Sequence, residues 1–171
     1  MKNRHYAQNL MKHSLKKKRK RVTPPTVPTE SDWGDYKSDL DQNHAHSVFA
    51  GRTNLEMQPF FRKNPIEMTD ELRWMPEVPF RYYMFGFRDF VMGKDFGLLD
   101  APDAASCFLG LVLEKLEKHP QHIVPIVPDL LPALDYVGHQ QARFEAQESI
   151  YGNFLEKLSR IKTLYEAQSG S

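Results

Sequence analysis

The chain has 171 residues, of which 40% are hydrophobic and 26% charged; that is enough for one domain with a sizeable core, and it is the composition of an ordinary soluble protein. Its longest apolar run, around Phe108 to Leu113, falls far short of the roughly 20 residues that span a bilayer, and a single cysteine, Cys107, excludes an internal disulfide and fits a reducing compartment. The formal net charge of +1 averages two unlike parts: residues 1–21 hold nine of the 23 Lys and Arg and no acid, so residues 22–171 set 14 bases against 22 acids and carry −8.

The first part is a cationic arm. Lys16, Lys17, Lys18, Arg19, Lys20 and Arg21 follow one another without a break, and like charges along one helix repel, so the arm is expected to be mobile in isolation. The basic start runs into Thr and Pro rather than an apolar stretch, which argues against a secretory signal and for a cytoplasmic protein. Residues 22–29, with three prolines in eight positions, read as an extended linker. The expected division is therefore an arm and linker over 1–28 and a helical domain over 29–168.

Within the domain, Trp33, Tyr36, Leu40, His44 and Val48 recur every three or four residues, which predicts a helix over about 31–50 stopped by Gly51. Thr53 and Glu56 form a capping box in front of Met57, Phe60 and Phe61, a helix reaching Lys63. Asn64 and Pro65 break it, and Thr69 with Asp70 is set to cap a short turn ending before Pro76. Pro79 then opens the helix around which the chain is organised: Phe80, Tyr83, Met84, Phe87 and Val91 share one face. Burying five such side chains contributes on the order of 1.5–3 kcal/mol each before entropy. After a turn at 93–102, Phe108, Leu109, Val112, Leu113 and Leu116 line a helix to about Lys118. Prolines 125, 128 and 132 mark a rigid connection, followed by a helix with Leu130, Leu131, Leu134 and Val137. Phe144 to Tyr165 is a last amphipathic stretch with a break at Gly152. No alternating pattern competes, so the fold class is all-α, five to seven helices in one orthogonal or bundle-like domain.

Trp74-Met75-Pro76 followed by Phe80-Arg81-Tyr82-Tyr83-Met84 resembles a pattern in small uncharacterised all-helical bacterial domains, an aromatic helix after a proline turn and then leucine-rich helices. The layout matches over roughly 32–165, whereas Met84, Phe85 and Gly86 replace the Leu-Pro-Ala that often follows the tyrosine pair there. The resemblance implies no known activity; such small helical domains are often immunity- or adaptor-like partners of larger proteins.

The residues themselves ask for no catalysis and no cofactor. Phosphate-loop, dinucleotide, nucleophile-elbow and H-E-x-x-H patterns are absent. Cys107 beside Phe108 reads as inert packing, and a site drawn from Arg81, Tyr82, Asp89 and His139 would need a polar pocket to assemble it. His44 and His46 are two apart, splayed by about 200° on a helix, and read as solvated polar residues rather than metal ligands. His119 and His122 flank a helix end, where the dipole favours a cation. Two charged segments carry the functional expectations. Glu30, Asp32, Asp35, Asp39 and Asp41 stand against the single Lys37 and offer a field for a basic protein partner, with Trp33 and Tyr36 as either its anchors or core contacts. Residues 16–21 would neutralise about six phosphates, and their binding to duplex DNA would fall with a log–log salt slope of roughly −5. The same run also resembles a nuclear-import signal, and it would serve equally as a tail lying on the acidic body.

Overall fold

The computed structural model describes residues 26–170 apart from Lys94, Leu98 and Leu99. The cationic arm therefore lies outside the described residues. Among those described, the architecture is all-α: two short 3-10 turns at Glu30–Trp33 and Tyr36–Ser38, then seven helices of ten residues or more. These are α1 Leu40–Phe49, α2 Asn54–Lys63, α3 Pro65–Trp74, α4 Glu77–Met92, α5 Ala101–Lys118, α6 Val127–His139 and α7 Phe154–Ser169. Single helical turns at Pro120–Ile123 and Glu148–Tyr151 join the last three.

Helix α4 is the axis of the domain. Phe80, Tyr83, Met84, Phe87 and Val91 are all fully buried, as the spacing requires. Tyr82, Gly86 and Phe90 are buried as well, so the helix is enclosed around most of its circumference. It touches the opening turn, α2, α3, α5, the 120–123 turn and α6. Rings extend from it in both directions: Phe61 stacks on Phe87 with centroids 5.0 Å apart, and Phe87 meets Phe108 of α5 edge-on at 5.4 Å. Such offset and edge-to-face pairs add to simple area burial. Helix α7 closes the far side against α5 and α6.

Local chemistry explains most boundaries. Thr53 and Glu56 form the expected capping box, the Thr53 hydroxyl accepting from the Glu56 amide and the Glu56 carboxylate from the Thr53 amide. Asn64 ends α2 and its side chain caps α3 through the Glu67 amide at 3.1 Å. Pro65, with no amide hydrogen to lose, occupies the first turn. Gly152, at φ 71°, breaks the last amphipathic stretch where expected.

Three expectations are corrected. The helix predicted over 31–50 begins only at Leu40, because Gly34 takes φ 59° and Asp39 caps α1 with bonds to the amides of Asp41 and Gln42; short carboxylates that bond the backbone compete with helix and win at its end. Thr69 and Asp70 cap nothing: Thr69 is buried in mid-α3, its hydroxyl donating to the Pro65 carbonyl at 2.7 Å. The rigid connection expected at the prolines is itself helical. Pro128 sits in the first turn of α6, where no amide is needed, and Pro132 lies inside the helix, beyond that free zone.

Candidate functional site

The acidic segment folds into a defined end of the domain. Glu30 accepts from the Tyr36 hydroxyl at 2.7 Å and pairs with His46 Nε2 at 2.8 Å. The Tyr36 hydrogen bond, helped by His46, holds the Glu30 carboxyl below its usual range. The His46 ring lies flat on Tyr36 at 3.7 Å and edge-on to Trp33 at 5.0 Å. Asp32 accepts from both the amide and hydroxyl of Thr29 at 2.7 Å, and these bonds lower its pKa. Asp39 is the cap of α1. Asp35 and Asp41 are exposed and their carboxylates make no hydrogen bond or ion pair among the described residues.

The structure thus divides the predicted set. Glu30, Asp32, Asp35, Asp39 and Asp41 all reach solvent, but Trp33 and Tyr36 are 1% and 7% exposed and belong to the core, with Trp33 packed against Tyr83. Of the two roles expected of them, core contact is the one their burial supports: Trp33 closes its turn over Tyr83 of α4, and Tyr36 packs under His46 of α1. The apolar group this face does present is Leu40, 87% exposed between Asp39 and Asp41. Sequence periodicity had assigned Leu40 to the inside. The late start of α1 turns it out.

The charge is also segregated. Every Lys or Arg ion pair among the described residues lies between Arg62 and Lys162, for example Arg62 with Asp95, Arg73 with Glu114, Arg81 with Glu77 and Lys162 with Asp135. None involves a carboxylate of the 30–41 segment. Its cations are Lys37, whose ammonium sits 5.6 Å from the Tyr36 ring, and histidine when protonated. Helix α1 presents two of these: His46 toward Glu30, and His44 toward Glu71 of α3, Nδ1 to carboxylate 2.6 Å. Burial raises the Glu71 carboxyl, against the pull of His44. The described residues hold no group of three or more His, Cys, Asp or Glu that could bind a metal ion.

Against Phe80, near the start of α4, lies a cluster that no motif announced. Lys115 is 2% exposed, donates to the Arg73 carbonyl at 2.7 Å, and lies 4.6 Å from the Phe80 ring centroid. Desolvation pushes its ammonium down to about 8. His122, tilted against Phe80 at 6.1 Å and stacked near His119 at 5.4 Å, is lowered chiefly by burial and further by Lys115. The dipole account expected of this histidine is therefore incomplete, since its surroundings favour the neutral ring. Arg81 spans the cluster, donating to the Gln121 and His122 carbonyls and pairing with Glu77. Lys115 is a buried C-terminal cap for α3, filling a carbonyl that the helix leaves free. The only sequence signal was a lysine on the apolar stripe of α5.

The scattered catalytic set does not converge. Tyr82 is buried over α2, Asp89 pairs with Arg88, and His139 bonds the Asp135 carbonyl of its own helix. The hollow of about 280 Å³ beside Asp89 is lined by Gln58, Pro59, Arg62, Phe90, Gly93 and Asp95 and contains none of the other three. Burial raises the Cys107 thiol, which disfavours the thiolate. No helix among the described residues is long and apolar enough to cross a membrane.

Fold and surface together define an all-α domain with a charge-segregated end face. Compared with protein-family models, with curated proteins and with solved structures, the chain matches none of them.

Proposed function

We propose that this is a non-enzymatic, cytoplasmic binding protein that captures a basic protein partner on the acidic face formed by residues 30–41, in the manner of an immunity or adaptor protein. The supporting observation is that the five carboxylates of this face remain outside the Lys and Arg ion pairs that absorb acids elsewhere on the domain. Unneutralised charge of one sign steers encounter and selects against like-charged partners. Leu40, exposed among them, supplies an apolar contact at the centre.

Titrating the protein with a fluorescent octa-arginine peptide at low and high ionic strength tests the reading. Binding should weaken steeply with salt, since the Debye length shrinks from about 30 Å at 0.01 M to about 3 Å at 1 M. It should also weaken when Glu30→Gln, Asp35→Asn and Asp41→Asn are combined. Affinity indifferent to both would refute it.

A second reading rests on the six-cation run at 16–21: the arm tethers the protein to nucleic acid. Deletion of residues 1–21 should then abolish retention on duplex DNA or RNA, and unchanged retention rules the tether out.

A further inference from the structure

We infer that His44 and His46, each already bonded to a carboxylate, make the acidic face pH-responsive, so that their protonation weakens its hold on a cationic partner. This rests on the acidic-face reading above and assigns that face its regulation.

The two histidines are two residues apart on α1, yet each is aimed at a carboxylate on a different neighbouring element. His46 bonds Glu30 of the opening turn at 2.8 Å, and its side chain is 18% exposed. His44 bonds Glu71 of α3 at 2.6 Å and is 60% exposed. The groups facing them are few. Around His46 are Glu30, the Tyr36 ring on which it lies, and Lys37, whose ammonium is 5.6 Å from that ring. Around His44 is Glu71, with Glu67 and Asp70 close enough on α3 to repel its charge. Asp41 is one turn before His44 on α1 itself. No arginine or lysine of α3 reaches either ring among the described residues.

With neutral imidazoles, the 30–41 segment carries five carboxylates and one ammonium, a formal −4. Histidine is the side chain whose charge changes within the physiological range. Each ring that takes up a proton turns a hydrogen bond to a carboxylate into an ion pair and removes one unit of negative charge from this end of the molecule, so both together take residues 30–46 from −4 to −2. Glu30 would then be neutralised within the face that is meant to meet the partner. Because the acceptors are already in hydrogen-bond contact, no rearrangement is needed, and the change acts through charge alone.

Reciprocity sets the decisive measurement: if protonation weakens binding of a cation, binding of the cation must make protonation harder by the same factor. Histidine ring carbons are followed by NMR from pH 8 to 5.5 with and without saturating octa-arginine at low salt, and the peptide's affinity is measured at pH 8 and pH 6. The expected result is about fivefold weaker binding at pH 6 for two added charges screened by water, with the His44 and His46 midpoints shifted to lower pH by the peptide. His44→Gln, the more exposed of the pair, should remove about half of the pH effect, and His44→Gln with His46→Gln nearly all of it. Equal affinity at the two pH values, or ring midpoints that ignore the peptide, overturns the inference while leaving the acidic face standing. Absence of binding at pH 8 overturns both. Should the double variant misfold, the ring titrations of the native protein decide the matter alone.

Discussion

Lys115 offers the sharpest quantitative test. Its amine is 2% exposed, and desolvation lowers its pKa from 10.5 to about 8. The sign follows from linkage. A base with a depressed folded pKa contributes stability that is present above the unfolded value and lost as pH falls through the folded one. Between pH 8 and 10.5 the unfolded chain therefore binds the extra proton, and the folded state gains as pH rises. Integrating these two values from pH 7 to 9.5 gives about 2 kcal/mol, or roughly 1–2 kcal/mol once residual solvent screening is allowed for. Lys115→Met keeps the length of the side chain and removes the titration. It leaves the Arg73 carbonyl at the end of α3 without its donor, a loss of about 1–3 kcal/mol, offset at pH 7 by the charge that no longer has to be desolvated. The absolute stability of the variant at pH 7 should accordingly lie near that of the native protein. The informative quantity is the difference between the two at pH 7, 8.5 and 9.5, read from urea unfolding followed by circular dichroism. It should move by about 1–2 kcal/mol in favour of the native protein as pH rises. Stopping at 9.5 keeps the measurement below the ordinary tyrosine range, where Tyr83, whose phenol is raised by burial, would begin to contribute with the opposite sign. A difference that stays constant across the range would refute the account of Lys115 as a charge held against desolvation.

Further predictions concern the helix contacts. A Cβ at Gly86 would lie 2.4 Å from Asn54 Oδ1, so Gly86→Ala should destabilise by about 1–3 kcal/mol despite the roughly 1 kcal/mol that alanine gains in a helix; a rise in the urea midpoint would contradict it. The Tyr83 hydroxyl lies 2.5 and 2.9 Å from the Phe49 and Arg52 carbonyls and shares its one hydrogen between them, and Tyr83→Phe, which removes that donor although Phe49 keeps its bond from the Arg52 amide, should lower stability by about 1–3 kcal/mol without changing far-UV circular dichroism. Asp39→Ala removes the cap of α1 and should lose about 1 kcal/mol, whereas Asp35→Asn with Asp41→Asn should leave stability within about 0.5 kcal/mol and change only affinity for octa-arginine. A stability loss in the latter pair would mean that these carboxylates serve the fold.

The chain alone determined the parts of this protein that depend on neighbours in sequence. Apolar spacing in α4 named five residues that are fully buried, and the Thr53 capping box and the break at Gly152 stand where side-chain chemistry put them, because helix ends and helix faces are set within one or two turns. The same local signals failed over 31–50, where a helical period in Trp33 and Tyr36 turned out to serve two turns, one folded over α4 and the other over α1. Periodicity reports which side chains are buried, and burial can be reached by more than one backbone path. What surrounds a charge was decided only in three dimensions. Glu71 lies 27 residues from the His44 it holds, Lys115 caps a helix 42 residues earlier in the chain, and the acids of 30–41 stay outside the Lys and Arg ion pairs that take up acids such as Asp95, Glu114 and Asp135. Electrostatic energy falls with distance in space and with the water between two groups, neither of which is written along the chain.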